Sequence, residues 1–193
     1  MISYRDAIDA IHRERNDAVC VTTMTQTGYW YKISKRPDLD IGISNGMSKA
    51  SSLALGVALG VPGRRVLVLD GDGSLLMNLG SLVTVAGQKP ENMHHFVFDN
   101  GMYAITGGQP LPNPKVDYAA MAIAAGYANA YAFDDVEELA SELPRIMSQP
   151  GPTLIHISVI AEPAAEGVDQ TWESNRKMPA QLRATRTALQ QRA

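Results

Sequence analysis

Val66-Leu67-Val68-Leu69-Asp70-Gly71-Asp72-Gly73-Ser74 passes from four consecutive apolar residues into an acidic turn spaced by glycines. A continuous apolar run of this kind predicts a strand buried on both faces of a parallel sheet, because a strand with one wet face would alternate. A second such strand, His95 to Phe98, ends in Asp99-Asn100-Gly101-Met102-Tyr103. Between the two, residues from Ser74 to about Gly87 read as a helix. A strand–helix–strand unit runs its strands parallel and puts both turns at the carboxyl edge of the sheet, where ligands of open α/β sheets bind. Asp72 and Asn100, 28 positions apart, can therefore face one crevice.

The same alternation extends in both directions. Upstream, Ser3 can cap a helix through about Asp17 with Ala7, Ile8 and Ile11 on one face, and Val19 to Thr23 is a β-branched strand. Thr25 to Asp40 reads as polar and aromatic loop. Gly46 to Gly60, dense in Ala, Ser, Gly and Leu, reads as a closely packed helix. Downstream, the loop to about Pro114 is rich in Gly and Pro. Then come a helix (Asp117 to Gly126), a strand (Ala130 to Phe133), a helix (Asp135 to Ser148) and a strand (Thr153 to Val159). The prediction is a doubly wound, mostly parallel α/β sheet with helices on both faces, a single domain over 1–160. Residues 161–193 form an arm with a terminal helix after Pro179.

Composition narrows the class. The chain has 193 residues, enough for one domain with a real core. It is 45% hydrophobic and 19% charged, a globular balance. A net charge of −3 leaves no general footprint for nucleic acid. No apolar run approaches the roughly 18 residues that span a bilayer, and the N-terminus is not a signal peptide, so a cytoplasmic protein is expected. The single cysteine, Cys20, excludes an internal disulfide, a CxxC pair and a cysteine-held iron–sulfur cluster.

Chemistry concentrates in the two turns. Gly71 and Gly73 let backbone approach an anion closely, and a helix opening near Ser74 points free N–H groups toward it. A carboxylate from Asp72 and an amide oxygen from Asn100 beside a diphosphate would make a magnesium site, since the hard cation takes oxygen ligands and bridges to phosphate. A lone Gly-Asp-Gly is more often an ordinary turn. The acidic–amide turn ending the next strand supplies the second half of the pattern.

Gly-Asp-Gly-Ser, about 25 residues and a strand ending in Asp-Asn together resemble the cofactor-binding signature of thiamine diphosphate enzymes. The resemblance spans about Val19 to Val159 and covers the domain that holds the diphosphate. It implies the thiamine diphosphate-binding fold, with Mg²⁺ held by side-chain oxygens of Asp72 and Asn100 and the backbone carbonyl of Met102. Gly71, Gly73 and Ser74 would line the diphosphate, with Tyr103 and Ala104 beside it. Asn45-Gly46-Met47-Ser48-Lys49-Ala50-Ser51 is similar to the family's Gly-Ser-Met-Gly-His-Ala-Ser, with Ser48 and Lys49 departing from it. By that likeness Met47 would wedge beneath the cofactor and bend it, while Asn45, Gly46 and Met47 meet the aminopyrimidine. On residue type alone Met47 is core filling at a helix start.

Asp99-Asn100-Gly101-Met102-Tyr103-Ala104-Ile105-Thr106-Gly107-Gly108-Gln109 resembles the segment Asp-Asn-x-x-Tyr-x-x-Thr-Gly-Gly-Gln of phosphonopyruvate and sulfopyruvate decarboxylases. The resemblance implies a decarboxylase of small anionic 2-oxoacids, with Thr106 and Gln109 beside Met47 as catalytic-site residues meeting the substrate. The bland alternative for Thr106 to Gln109 is a loop without substrate contact. Thr22 to Tyr31 lacks the Arg-Glu-Leu usual in that subgroup. The family also needs a Glu on the pyrimidine, carried by a separate domain. Only 70 residues precede Gly71, so that Glu is expected from a second subunit in a hetero-oligomer. Half of an acetolactate synthase-like carboligase and a non-catalytic phosphate- or nucleotide-binding module stay open as alternatives.

Other candidates read as structural. His94, His95 and His156 lie at or within strands, and Cys20 lies in an apolar strand. Lys32, Lys35 and Arg36 near Tyr29, Trp30 and Tyr31 read as a solvated face or, less often, as anion recognition.

Overall fold

The computed structural model describes residues 1–43, 46–113, 115–161 and 178–191. Six parallel strands form one sheet in the order β2-β1-β3-β4-β8-β7. They are β1 (Val19–Thr23), β2 (Asp40–Ile43), β3 (Val66–Gly71), β4 (Met93–Asp99), β7 (Asn129–Phe133) and β8 (Thr153–Ser158). A small antiparallel hairpin, β5 (Met102–Tyr103) and β6 (Gln109–Pro110), stands apart from it. The α/β doubly wound prediction is met.

Alternation along the strands separates two cores. Leu67, Leu69, Phe96 and Phe98 face one side, against α1 (Tyr4–Arg13), α2 (Met24–Ile33) and α7 (Val136–Ser148). Val66, Val68, Met93 and Val97 face the other, with α3 (Ala50–Gly60), α5 (Ser81–Gln88) and α6 (Tyr118–Ala125). Each fully buried Leu, Val or Phe contributes roughly 1.5–3 kcal/mol. That outweighs any single cap, which is why the apolar runs dominate the reading of this fold. Caps still set the ends: Asp135 accepts from the backbone N–H of Glu137 and Glu138, and Gly126 closes α6 in the left-handed region.

Three expectations need correction. Thr25 to Asp40 is not a loop, since α2 and a short 3₁₀ turn (Pro37–Leu39) occupy most of it. The helix expected from Gly46 starts only at Ala50, because Ser48 takes a positive φ of 72° in a turn whose Ser48 N–H donates to Ser74 Oγ. The helix expected from Ser74 to Gly87 is two, α4 (Asp72–Leu76) and α5, broken across Met77 to Gly80. The terminal helix, α8 (Met178–Gln190), packs on edge strand β2. There Gln181 Oε1 accepts from the Gly42 N–H at 3.0 Å, covering an otherwise open strand edge. Most of the preceding arm, 162–177, lies outside the described residues.

Candidate functional site

Strand order reverses between β1 and β3, because the chain leaves β1 for β2 on one side and returns to β3 on the other. Such a switch point opens a crevice at the carboxyl edge. Register then sets its floor. Asp70 pairs with Val97 and Gly71 with Phe98, so Asp72 and Asn100 emerge side by side.

Asp72 is buried at the opening of α4. Its Oδ1 accepts from the Gly73 N–H at 2.7 Å, and its Oδ2 accepts from Asn100 N–H at 3.0 Å and Gly101 N–H at 2.8 Å. Gly101, at φ 71°, makes the tight turn that brings those N–H groups round. Asn100 Oδ1 accepts from the Met102 N–H at 3.0 Å, and its Nδ2 donates to the Tyr4 hydroxyl at 2.9 Å. Burial, foremost, and the neighbouring Asp99 raise the proton affinity of Asp72. Burial pushes Asp99 the same way, but the hydrogen bond and charge of the His156 ring, at 2.9 Å, help to outweigh it and hold Asp99 low. Two close carboxylates sunk into protein are the electrostatic condition that a bound cation relieves.

The walls fit a close ligand. A Cβ on Gly73 would meet the Tyr103 ring at 2.7 Å, whereas one on Gly71 would meet only Gln26 Nε2 at 3.6 Å. Glycine at 73 is therefore imposed by Tyr103. At the end of β1 and the first turn of α2, Gln26 Oε1 and the hydroxyls of Thr22, Thr23 and Thr27 are buried with no hydrogen-bond partner among the described residues. Of these only Gln26 lines the crevice, where its orphaned oxygen is a group a ligand can satisfy. Among the described residues no three His, Cys, Asp or Glu side chains converge as a metal cluster. The Asp72 carboxylate, the Asn100 amide oxygen and the Met102 carbonyl are oxygen donors of the kind a hard cation such as magnesium would take.

Of the residues singled out in the sequence, Met47, Gly71, Asp72, Gly73, Ser74, Asn100, Met102, Tyr103, Ala104 and Thr106 all line this crevice. Gly46 lies half-buried in the turn before Met47, and Asn45 lies outside the described residues. Gln109 is exposed and does not line the crevice; its Nε2 donates to the Thr106 carbonyl at 2.9 Å. Lys49 is exposed, Lys32 lies over the Tyr29 ring and Arg36 pairs with Asp38. Sequence reasoning missed Tyr4, Met24, Thr25 and Gln26, which also line the site. The three on α2 belong to the Thr22 to Tyr31 segment expected to border the site, but the sequence singles out none of them, because Thr25 onward reads as loop. Tyr4 carries no local signal, since only the fold brings it across the sheet to Asn100.

Residues 17–157 match the family described as thiamine pyrophosphate enzyme, C-terminal TPP binding domain. Phosphonopyruvate decarboxylase of Streptomyces viridochromogenes is 40% identical over 145 residues, 75% of this chain and 36% of that protein. Sulfopyruvate decarboxylase subunit beta of Methanothermobacter thermautotrophicus is 42% identical over 113 residues, 58% of each chain. The chain thus spans about a third of the length of the phosphonopyruvate decarboxylases it matches. In structure, benzoylformate decarboxylase of Polynucleobacter necessarius superposes with a TM-score of 0.71 at 21% identity, covering 82% of this chain and 33% of that one. The chain belongs to the thiamine pyrophosphate enzyme family, through its C-terminal TPP binding domain.

Proposed function

We propose that the chain is the diphosphate-holding subunit of a two-subunit, thiamine diphosphate-dependent decarboxylase acting on a small anionic 2-oxoacid of the sulfopyruvate or phosphonopyruvate kind. The observation that carries this is the buried Asp72 carboxylate beside Asn100 on the floor of the crevice, in a chain related to both decarboxylases. Asp72, Asn100 and the Met102 carbonyl would hold Mg²⁺. Gly71, Gly73 and Ser74 would line the diphosphate, with Tyr103 and Ala104 against it. Met47, with Asn45 and Gly46, would support the aminopyrimidine. When bound, thiamine diphosphate supplies the electron sink that makes loss of CO₂ easy. The protein's own part is to bind, orient and keep water out.

Two observations support a partner. Among the described residues no glutamate lines the crevice, and relatives carry the designation subunit beta. A second chain would then bring the Glu that meets the pyrimidine. Thr106, at the crevice mouth, and Gln109, tethered to it, would meet the second anionic group of the substrate. Calorimetry with thiamine diphosphate and Mg²⁺ tests the site. Binding is expected for the wild-type chain and is expected to vanish in Asp72→Asn or with a chelator, because losing a ligand leaves diphosphate charge unneutralised. Equal affinity in Asp72→Asn would sink the reading.

A further inference from the structure

We infer that Tyr4 is a positioning residue for the cation site, orienting the Asn100 side-chain amide so that its oxygen, not its nitrogen, is presented to the metal. This rests on the reading of Asn100 as a ligand. It goes beyond that reading because Tyr4 lies outside the 17–157 segment that matches the family.

The chain's first residues are pinned before they reach the site. Ile2 N–H donates to the Ser158 carbonyl at 3.0 Å, and the Ile2 carbonyl accepts from Ile160 N–H at 2.9 Å. Two residues later Tyr4 opens α1, its ring stacked with Tyr29 (centroids 5.9 Å apart, planes within 6°) and with Phe98 (5.7 Å, 4°). The ring is 3% exposed. A buried ring packed against two parallel rings is restricted in where it can put its hydroxyl, which sits 2.9 Å from Asn100 Nδ2.

A carboxamide has two nearly isosteric ends, and its neighbours decide which end points where. At Asn100 the oxygen end accepts from the Met102 N–H, and the nitrogen end donates to the Tyr4 hydroxyl. Flipping the amide would set NH₂ against that backbone N–H, donor to donor. Without the Tyr4 oxygen the nitrogen end loses its partner, and only the Met102 N–H still opposes turning a donor toward the cation. Groups that fix a ligand without touching the metal typically govern metal affinity by 10–100-fold.

Mn²⁺ titrations followed by electron paramagnetic resonance, on the full chain with thiamine diphosphate, test this directly. Tyr4→Phe removes one atom and keeps the stacked ring. It is expected to raise the Mn²⁺ dissociation constant about tenfold. In an Asn100→Ala background the same change is expected to do nothing, because the amide it orients is gone. A merely structural role would weaken binding equally in both backgrounds, and that result would overturn the inference. Wild-type affinity in Tyr4→Phe alongside lost binding in Asp72→Asn would overturn it while leaving the proposed function standing. Absence of Mn²⁺ binding by the wild-type chain would overturn both.

Discussion

His94 shows how a residue can be costly and yet remain. It is 1% exposed at the start of β4, and neither ring nitrogen makes a well-formed hydrogen bond among the described residues. Burial, foremost, drives its pKa down to about 4. The folded state therefore prefers neutral imidazole, while the unfolded chain takes up a proton near the ordinary value of about 6.5. A group with a depressed folded pKa contributes stability that is present above the unfolded value and lost as pH falls toward the folded one. Stability should thus decline between about pH 6.5 and 4, by up to about 3 kcal/mol from this group alone. Chemical denaturation across that range is expected to show the slope in the wild type and a flatter one in His94→Leu. Equal slopes would mean that other groups carry the acid sensitivity. The residue lies at the amino edge of the sheet, remote from the crevice, so cofactor affinity serves as the control.

At the scale of elements, α2 and β2 are held by a buried polar knot rather than by an apolar stripe. Arg15 and Asp40, 3% and 1% exposed, pair at 2.7 Å. Asp40 also accepts from Trp30 Nε1 at 2.9 Å and from Ser34 Oγ at 2.5 Å. Arg15 NH1 donates to Ser34 Oγ at 2.6 Å, and its plane lies 5.2 Å from the Trp30 ring centroid. One guanidinium therefore joins the end of α1 to α2 and to the first residue of β2. Removing one member of a buried pair strands the other, at a cost of about 3–5 kcal/mol. Arg15→Met is expected to lower thermal stability by that order, and Arg15→Met with Asp40→Asn to recover part of it. Additive losses measured by denaturation would show that the two residues act separately. This knot also explains why Thr25 to Asp40 defeated sequence reading: its helix carries Gln, Thr, Gly and Tyr with little sidedness, and its anchor is Arg15, 19 residues before the Ser34 it binds.

For the whole molecule, apolar side chains remain open to solvent on neighbouring helices of one face. Leu59 on α3, Val83 on α5 (63% exposed) and Ile123 on α6 (52%) are the largest examples, with Met77 beside α4. Exposed apolar groups gathered on one layer mark a surface for association. If the chain works in the two-subunit assembly proposed above, this face is the candidate for the contact. Val83→Glu with Ile123→Glu should leave the circular dichroism of the fold unchanged and convert an assembly to monomer by light scattering. Unchanged mass would place the contact elsewhere. Among the described residues no helix is long and apolar enough to cross a membrane.

What the residues determined by themselves was whatever depends on neighbours along the chain. Uninterrupted Val and Leu runs specified buried parallel strands, and glycines flanking Asp72 specified a turn at the strand end. The spacing to Asn100 then specified a shared crevice, because one strand–helix–strand unit has a fixed geometry. Only the tertiary structure decided what depends on residues far apart. It brought Tyr4 to Asn100 across 96 positions, and Gln26 under Asp70 across 44. It put Ser48 in a left-handed turn tied to Ser74, and left Gln109 outside the crevice that Thr106 lines. Local patterning encodes which face of an element is apolar. Which partner meets that face is set by strand order and packing, and these are properties of the assembled sheet.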